Sequence, residues 1–374
     1  MDLFRFPKCS GVELDILSGE LVNGWDSLMW IERYRDFCEF ELIAKIDTDI
    51  QKILPIGTLI SHAESTEVMI VENHEINQEK GSEAIIKITG RSFETFLENR
   101  VVGANQDWVD REMVIPEYLM APNYTWEQAT RLINNHIRTD FLWDSKDSLL
   151  NVRAVNGVEV DESNEEVSYG VYQERVIKKG EVYSGVITLL EIDNLGIRTV
   201  RPNYWNNELT LFIHSGEDKS SSVAFSYEYG DIDSADYLWS NKKSKTCAYI
   251  LGRWVDQFID SGEVGYDRRT MIVDASDIDN QFSAYPQGSD LDEVITKLLI
   301  RGYEALSMKN NVAIINAKIS SSSQTYKYRT DYNVGDIVSV RGDYNTSARM
   351  RVIEHVEIED ETGESSYPTL TDET

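Results

Sequence analysis

The chain has 374 residues, a length typical of two to four domains. Hydrophobic residues make up 41% of it and aromatic residues 10%, which excludes a chain that is disordered throughout. Its 36 basic and 65 acidic residues give a formal charge of −29, so nucleic-acid binding through a basic face and attachment to an anionic membrane are both disfavoured.

The first hundred residues have the alternating pattern of β-strands. From Phe37 to Ile46 the even positions are apolar and the odd ones largely charged, which predicts a strand with one buried face. Glu67–Ile76 and Glu83–Thr89 predict two more strands, and the three favour an antiparallel meander that closes into a barrel. Ser92 is expected to cap a short helix that ends near Arg100.

The middle of the chain mixes helix and strand. Thr125 and Gln128 have the spacing of a capping box, and the residues behind them predict a helix. Its apolar face consists of Trp126, Ala129, Leu132, Ile133 and Ile137. The acidic segment Val158–Val167 predicts a solvated loop. Strands are predicted around and after it at Tyr169–Ile177, Glu181–Ile192, Leu209–His214 and Val223–Tyr229.

The last third carries one clear helix between strands. Ser289 is expected to cap a helix from Asp290 to about Leu306, in which apolar residues recur at helical spacing. Strands are predicted before and after it at Thr246–Val255, Thr270–Val273, Val312–Ile319, Thr325–Arg329, Asp336–Arg341 and Met350–Ile358. The tail Thr362–Thr374, rich in Ser, Thr, Asp and Glu, is expected to be frayed.

No sequence pattern singles out a catalytic or metal site. Asp231–Asp236 and Asp274–Asp279 are the best calcium candidates, but both lack the central glycine and closing glutamate of an EF-hand loop, so solvated turns are favoured. The chain has no GxSxG, P-loop, GxGxxG or HExxH motif. His355, on a predicted strand, is interpreted as structural. We therefore predict no catalytic, cofactor-binding or metal residues, and no cofactor.

The cysteines and aromatic residues give further expectations. Cys9, Cys38 and Cys247 form neither a disulfide framework nor a zinc pair, and Cys38 is expected to be buried on its strand. No apolar run is long enough to span a bilayer and the N-terminus lacks a signal-peptide pattern, which favours synthesis in a cytoplasm without secretion. The eight tryptophans and 19 tyrosines leave two interpretations open, core packing and subunit interfaces.

Several segments, taken in order, carry a resemblance to a known family. They are the strand Phe37–Ile46, IKITGRSFETFLENRVV (Ile86–Val102), HSGEDKSSSVAFSYEYG (His214–Gly230), KSKTCAYILG (Lys243–Gly252), YNVGDIVSVR (Tyr332–Arg341) and RMRVIEHVEIED (Arg349–Asp360). In the fifth of these, Val334-Gly335-Asp336 forms the turn into a strand. With these segments the chain resembles the tail-tip, or baseplate, hub proteins of long-tailed bacteriophages, also called tail-associated structural proteins.

The resemblance implies an α+β, β-rich fold with two small antiparallel β-barrel domains and mixed α/β domains between and beside them. Residues 1–105 would form the first, tube-like barrel and residues 106–180 a mixed helical and β domain. Residues 181–255 would be a β-rich segment that leads into the second barrel, and residues 256–317 a mixed α/β domain. Residues 318–374 would supply the closing strands of the second barrel and a flexible tail.

The resemblance also implies a function. Three copies would form a ring at the tail tip that joins the tail tube or distal tail protein to tip, spike or fibre proteins. Its lumen would pass DNA and the tape-measure protein during ejection, between acidic walls that do not hold phosphate. We expect a non-enzymatic virion component, made in the host cytoplasm, with no stable nucleic-acid binding and no membrane insertion of its own. A tail-tip cell-wall hydrolase and a receptor-binding module for host saccharide are the alternatives.

Overall fold

The structure is a computed structural model, and its chain divides into two compact units. Unit 1 comprises Met1–Asp233 and Lys318–Leu370, and unit 2 comprises Ser234–Ala317 and Thr371–Thr374. The described residues are 1–6, 19–46, 49–78, 83–102, 118–137, 152–156, 173–178, 180–201, 208–240, 242–278, 284–307, 309, 312–321, 325–342 and 347–372. With 44% strand and 22% helix, the predicted β-rich α+β class is confirmed.

The strands are numbered in chain order. They are β1 (Leu3–Phe6), β2 (Glu20–Val22), β3 (Ser27–Arg33), β4 (Glu39–Lys45), β5 (Leu59–His62), β6 (Met69–Asn77), β7 (Ile85–Ser92), β8 (Tyr118–Asn123), β9 (Val152–Asn156), β10 (Gln173–Ile177), β11 (Gly196–Val200), β12 (Leu209–His214), β13 (Ala224–Ser226), β14 (Ile232–Ser240), β15 (Cys247–Leu251), β16 (Gln257–Asp260), β17 (Thr270–Asp274), β18 (Val312–Ile319), β19 (Ile337–Arg341), β20 (Ser347–Asp360) and β21 (Gly363–Asp372). The helices are α1 (Ile50–Ile53), α2 (Thr125–Ile137), α3 (Val182–Ile192) and α4 (Ser289–Ser307), with 3-10 helices at Phe93–Asn99 and Gly265–Asp267.

Unit 1 is built around one large sheet with the strand order β13-β19-β20-β3-β4-β7-β6-β5-β1-β2, to which β21 adds by pairing with β20. Strand β20 lies antiparallel to β3, with Glu354 opposite Arg33, so late residues of the chain complete a sheet that early residues begin. Within the part of the chain that the structure describes, this order is an open path and no closed barrel is formed.

Strand β4 confirms the alternation predicted for the first region, because Phe40, Leu42 and Ala44 are buried and the residues between them are not. The predicted meander has a different order, since β7 lies between β4 and β6. Gly90 of β7 makes this order feasible. A Cβ at Gly90 would lie 1.8 Å from the carbonyl oxygen of Ile70 and 2.7 Å from the Phe40 ring, so only glycine fits between the two neighbours.

Helix α2 confirms a second prediction. It begins at Thr125, and its expected apolar face is buried against α3 and β9 in one hydrophobic core. The expected capping box is wrong. The Thr125 hydroxyl donates to the Asp193 carboxylate, and the Gln128 side chain accepts a hydrogen bond from Arg175 at 2.9 Å. Both polar side chains therefore make hydrogen bonds to residues outside the helix.

The strand predicted at Glu181–Ile192 is wrong, because this segment forms helix α3. Its buried residues are Val182, Gly185, Val186, Leu189 and Leu190. Their three- and four-residue spacing places them on one helical face, and burying that face outweighs the strand preference of the β-branched residues in the middle of the segment. A Cβ at Gly185 would lie 2.8 Å from the Ile177 side chain, so glycine permits this close packing. The strand β11 that follows was not predicted.

Other local predictions are also corrected. Ser92 precedes a 3-10 helix, and its hydroxyl accepts a hydrogen bond from the Cys38 amide instead of capping that helix. Thr325–Arg329 is a turn instead of a strand. The tail expected to be frayed forms β21, whose Leu370 is buried and whose Thr369 hydroxyl donates to Glu354. The predicted loop Val158–Val167 lies outside the described residues.

Unit 2 contains the three-stranded sheet β16-β15-β17 and helix α4, which covers one face of it. The helix extends one residue beyond each predicted end. Its Val294 and Leu298 are buried against Ile250 and Ile259 of the sheet. Strands β14 and β18 form a separate pair, and β18 has the predicted bounds. Among the described residues no helix is long and apolar enough to cross a membrane.

Candidate functional site: the junction of early and late strands in unit 1

The junction of β3 and β20 holds a cluster of buried charges around Arg329. The Arg329 guanidinium lies 2.6 Å from a carboxylate oxygen of Glu32, on β3, and 2.7 Å from one of Glu357, on β20. A second guanidinium nitrogen donates to the other Glu357 oxygen at 2.9 Å, so this pair is bidentate. Arg329 itself adopts a left-handed backbone conformation with φ of 63°, which a non-glycine residue rarely does without support from its surroundings.

The two carboxylates of this cluster are held in their ionised forms. Burial opposes ionisation of Glu32, but the Arg329 charge and hydrogen bonds from Ser65 and Tyr328 lower its pKa below the ordinary value. Burial likewise opposes ionisation of Glu357, but hydrogen bonds from His62 and Arg329 lower its pKa to about 2. The cluster therefore combines one cation with two carboxylates whose side chains are largely removed from solvent.

The same cluster contains the atoms of a candidate metal site. One ligand atom each from Glu32, His62 and Glu357 lie within 4.8 Å of one another. A guanidinium nitrogen of Arg329 already contacts both carboxylates and lies 3.2 Å from Nε2 of His62. The guanidinium thus supplies the positive charge that a metal ion would bring, and a second cation there would be repelled. The arrangement is an ion-pair cluster and does not fit a resident metal.

A second contact joins two segments that carried the resemblance. Gly216 meets Gly335 so closely that a Cβ at Gly216 would lie 1.8 Å from the Gly335 carbonyl oxygen. Gly335 has a φ of +100°, which also requires glycine. The Asp336 carboxylate fixes the contact by accepting hydrogen bonds from the amides of Glu217 and Asn333, each at 2.8 Å. The VGD turn is therefore a lock between residues 214–218 and 332–336.

Tyr34 lies at the centre of this lock. Its hydroxyl donates to the carbonyl oxygens of Asn194 and His214, and its ring occupies the space that a Cβ at Gly335 would need. The Arg351 guanidinium lies 5.2 Å from the ring centroid and donates to the Gly335 carbonyl oxygen at 2.6 Å. Three distant parts of the chain thus meet on one tyrosine.

Two buried histidines accompany these contacts. Burial, together with the Arg198 charge, lowers the pKa of His214 to about 3. Burial lowers the pKa of His355 to about 4, although Glu357 and Glu32 act in the opposite direction. His355 stacks on Tyr328 with ring centroids 3.7 Å apart and contacts the Ser366 hydroxyl of β21 at 2.7 Å. It packs and bonds like the structural residue that the sequence indicated.

A polar cavity of about 250 Å³ adjoins the cluster, and Glu32, Glu67 and Arg198 are among its lining residues. Burial raises the pKa of Glu67 well above its ordinary value, and its carboxyl accepts a hydrogen bond from the Thr199 amide. Glycoside hydrolysis needs one protonated and one ionised carboxyl that flank a substrate. Both oxygens of Glu32 already accept hydrogen bonds, and Glu67 is buried, so neither is poised to meet a substrate.

The Asp-rich calcium candidates make hydrogen bonds and ion pairs of their own. Asp231 is buried and its carboxylate accepts a hydrogen bond from the Ser226 amide, so it is not part of a solvated turn. Asp274 bonds the amide and hydroxyl of Ser276 in an exposed turn, and Asp277 pairs with Arg301. Asp279 lies outside the described residues.

Sequence reasoning nominated none of the residues around Arg329. Glu32 and His62 are separated from Arg329 by 297 and 267 residues, and no local spacing relates them. The one available signal was Glu357, a charged residue between Val356 and Ile358 on a predicted strand. A charged residue flanked by apolar ones on a strand is also the ordinary pattern of a half-exposed strand, so it did not distinguish a buried pair.

The fold is that of bacteriophage tail proteins. The tail protein from Neisseria meningitidis MC58 matches with a TM-score of 0.58 and 11% identity, covering 100% of this chain and 96% of that one. The 43 kDa tail protein of prophage MuSo2 from Shewanella oneidensis matches with a TM-score of 0.56 and 13% identity, covering 100% and 98%. Prophage tail protein gp18 from Listeria monocytogenes EGD-e matches with a TM-score of 0.54 and 11% identity, covering 99% and 94%.

Residues 15–370 match the family described as Siphovirus ReqiPepy6 Gp37-like protein, and the chain belongs to this family. A comparison with curated proteins finds no match. The resemblance to phage tail proteins that the sequence predicted is thereby confirmed. The three solved structures are 11 to 13% identical to this chain, and what they share with it is the fold.

Proposed function

We propose that this chain forms a homotrimeric, non-enzymatic ring at the tail tip. The ring joins the tail tube or distal tail protein to tip, spike or fibre proteins and provides the channel through which DNA and the tape-measure protein pass. The observation that carries the proposal is the family match over residues 15–370 together with a tail-protein fold that covers the whole chain.

The junction in unit 1 supports a structural function. The segments that carried the resemblance supply the glycine contact, the carboxylate lock and Glu357 of the ion-pair cluster there. Such features fix strand positions and leave few polar atoms for a substrate. A stiff sheet suits a component that transmits load between a tube and a tip.

The two small barrels belong to the same proposal. The strands around β4, β6 and β7 would belong to one tube-facing module and those around β19 and β20 to the other. A charge of −29 supports a channel through which DNA slides, because cationic contacts are what retain phosphate.

Light scattering on the purified protein over a concentration series, followed by negative-stain images, tests the ring. We expect a mass near three times 42.8 kDa and a ring with an open centre. In assembled particles, a gold label on the chain should mark the tail tip. A label along the shaft, or the loss of turbidity of host cell walls on adding the protein, would contradict the proposal.

A further inference from the structure

Two glutamates of unit 1 place their carboxyl groups beside strand β11, and both are buried. Glu67, in the segment between β5 and β6, and Glu94, in the 3-10 helix that follows β7, are each 3% exposed. The Thr199 amide of β11 donates to Oε2 of Glu67 at 3.0 Å. The side chains of Thr199 and Ser92 lie close enough to the Glu94 carboxyl to favour its charge. The two carboxyls therefore meet at one residue of β11.

Neither carboxyl has a cation as a partner. Among the described residues no ion pair includes Glu67 or Glu94, and Oε2 of Glu94 is buried without a hydrogen-bond partner. Arg198 of β11 acts on Glu67 only from a distance, because its guanidinium lies over the Phe212 ring, 5.2 Å from the centroid. A buried carboxylate without a counter-ion is far less stable than the neutral acid. The geometry therefore favours the protonated form of both groups.

The charges around the pair act in the same direction. Burial raises the pKa of Glu67 well above its ordinary value, and charge on Glu94 or on Glu32 of β3 raises it further. The Arg198 charge and the Thr199 amide lower the pKa of Glu67, but by less. Burial likewise raises the pKa of Glu94. Two acids that are ionised in water are thus held neutral here.

The other titratable groups packed near the pair stay neutral close to neutral pH. Burial raises the pKa of the Cys38 thiol, next to β4, and of the Tyr183 phenol of α3. Burial lowers the pKa of His214 of β12 to about 3. A rise of pH above neutrality therefore acts in this part of unit 1 on the carboxyls of Glu67 and Glu94.

Strand β11 is attached on either side of these carboxyls. The Ile197 amide donates to the Tyr34 carbonyl oxygen at 3.0 Å, next to the end of β3. The Arg201 amide donates to the Thr66 carbonyl oxygen at 2.9 Å, next to Glu67. Thr199 lies between these two contacts in sequence. The carboxyl pair is thus at the middle of the attachment of β11 to the segments around the large sheet.

We propose that Glu67 and Glu94 form a proton-dependent latch that holds β11 against the large sheet. While the carboxyls are neutral, the packing around Thr199 is closed. Ionisation of both would place two like charges in a site with no cation to pair them, so loss of the protons opens the contact. Because β11 belongs to the sheet β11-β12-β9, opening separates this sheet from the large one.

The direction of the pH effect follows from the two states. In the open form the carboxyls are in water, where a glutamate has a pKa of about 4.3, so they are ionised at neutral pH. Opening therefore releases protons, and the contact weakens as pH rises. Glu64 and Thr66 are exposed and line the same cavity as Glu67, which gives the proton of Glu67 a way to solvent.

Hydrogen exchange at two pH values tests the latch. Observed rates are divided by the intrinsic rate of each amide at the same pH, so that the opening equilibrium remains. Each proton released on opening increases that equilibrium about tenfold for a rise from about pH 7 to about pH 8. We expect the amides of Ile197, Thr199 and Arg201 to lose protection about tenfold over this range. Amides of β15, in unit 2, should keep theirs.

Variants separate the pair from the rest of the fold. Glutamine has the shape of a neutral carboxyl group but does not ionise. The double variant Glu67→Gln with Glu94→Gln should therefore keep β11 protected equally at both pH values. Glu98→Gln is the matched control, because Glu98 lies in the same 3-10 helix but is 33% exposed and pairs with Arg91 at 3.1 Å. It should keep the pH dependence of the wild type.

Infrared spectroscopy of the wild-type protein gives a test that needs no variant to fold. At neutral pH we expect the C=O stretch of protonated carboxyl groups, which carboxylates lack, and isotopic labelling of the glutamate carboxyls should shift this band. The inference is overturned if the labelled band is absent, if β11 keeps its protection as pH rises, or if the folded double variant loses protection as the wild type does. None of these outcomes depends on whether the chain forms a ring.

Discussion

Units 1 and 2 differ in the kinds of side chain that they bury and expose. Unit 1 takes charged and polar side chains into its interior and pairs them there, as with Arg329, Glu32 and Glu357. Unit 2 has a small core under one helix and leaves apolar side chains such as Ile272 in water. The comparison teaches that unit 1 places polar and charged pairs inside its fold, whereas unit 2 leaves part of its apolar side chains outside a small core.

The largest effect that would separate the units is expected from Arg329→Met. Removing the guanidinium leaves two carboxylates buried without a cation, so unit 1 should lose about 3 to 5 kcal/mol of unfolding free energy. Urea unfolding measures this. Arg349→Met is the matched control, because its pair with Asp218 is half exposed and should contribute less than about 1 kcal/mol. Equal losses in the two variants would mean that the cluster around Arg329 is no better shielded than a surface pair.

The glycine lock should be nearly as sensitive. Gly335→Ala adds a Cβ at a φ of +100° that would meet the Tyr34 ring at 2.5 Å, and we expect a loss of about 3 kcal/mol. Gly230→Ala is the control, because Gly230 has a φ of +74° but open space around its Cβ. Its loss should stay near 1 kcal/mol in thermal unfolding. If both variants lose the same amount, the close packing of the Tyr34 ring on Gly335 contributes nothing.

Acid should weaken unit 1 through its buried histidines. The pKa of His355 is about 4 in the folded protein and near 6.5 when unfolded, so the unfolded chain binds the proton first. Stability from this residue is complete above pH 6.5 and is lost as pH falls toward 4, by about 3 kcal/mol in total. Chemical unfolding between these pH values should be less pH-dependent in His355→Gln than in the wild type.

The smallest expected effect is in unit 2, at two neighbouring positions of β17. Ile272→Thr should change the unfolding free energy of the monomer by no more than about 0.5 kcal/mol, because the side chain is already in water. Val273→Thr should cost about 1 to 2 kcal/mol, because it places a hydroxyl against Ile250 and Val294. A larger loss for Ile272→Thr than for Val273→Thr in dilute solution would mean that Ile272 is not in water. Unit 2 would then not differ from unit 1 in leaving apolar side chains exposed.

The sequence predicted elements that have one buried face and one polar face. Strand β4 and helices α2 and α4 were found because their apolar residues recur at intervals of two or of three and four. Helix α3 was missed because Val, Ile and Leu occupy most of its surface and weaken the contrast between faces. Strand β21 was missed because the Ser, Thr, Glu and Asp residues in it also suit loops.

The junction around Arg329 could not be predicted from local pattern. Its members come from residues 32, 62, 329 and 357, which only the pairing of β3 with β20 brings together. The resemblance did include the VGD turn, and Gly335 and Asp336 of that turn are both required by the geometry of the neighbouring lock, but the contact with residues 214–218 was not predicted. Long-range pairing, and not residue type, is therefore the information that the sequence alone did not supply.

The pairing of β20 with β3 also has a consequence for how the chain folds as it is synthesised. Arg33 and Glu354 are hydrogen-bonded although 321 residues separate them, so the large sheet is not completed until β20 has left the ribosome. The contacts between α4 and β15 to β17 are more local and form from chain that emerges earlier. The inserted unit therefore leaves the ribosome complete before the large sheet of the unit that surrounds it in sequence can close.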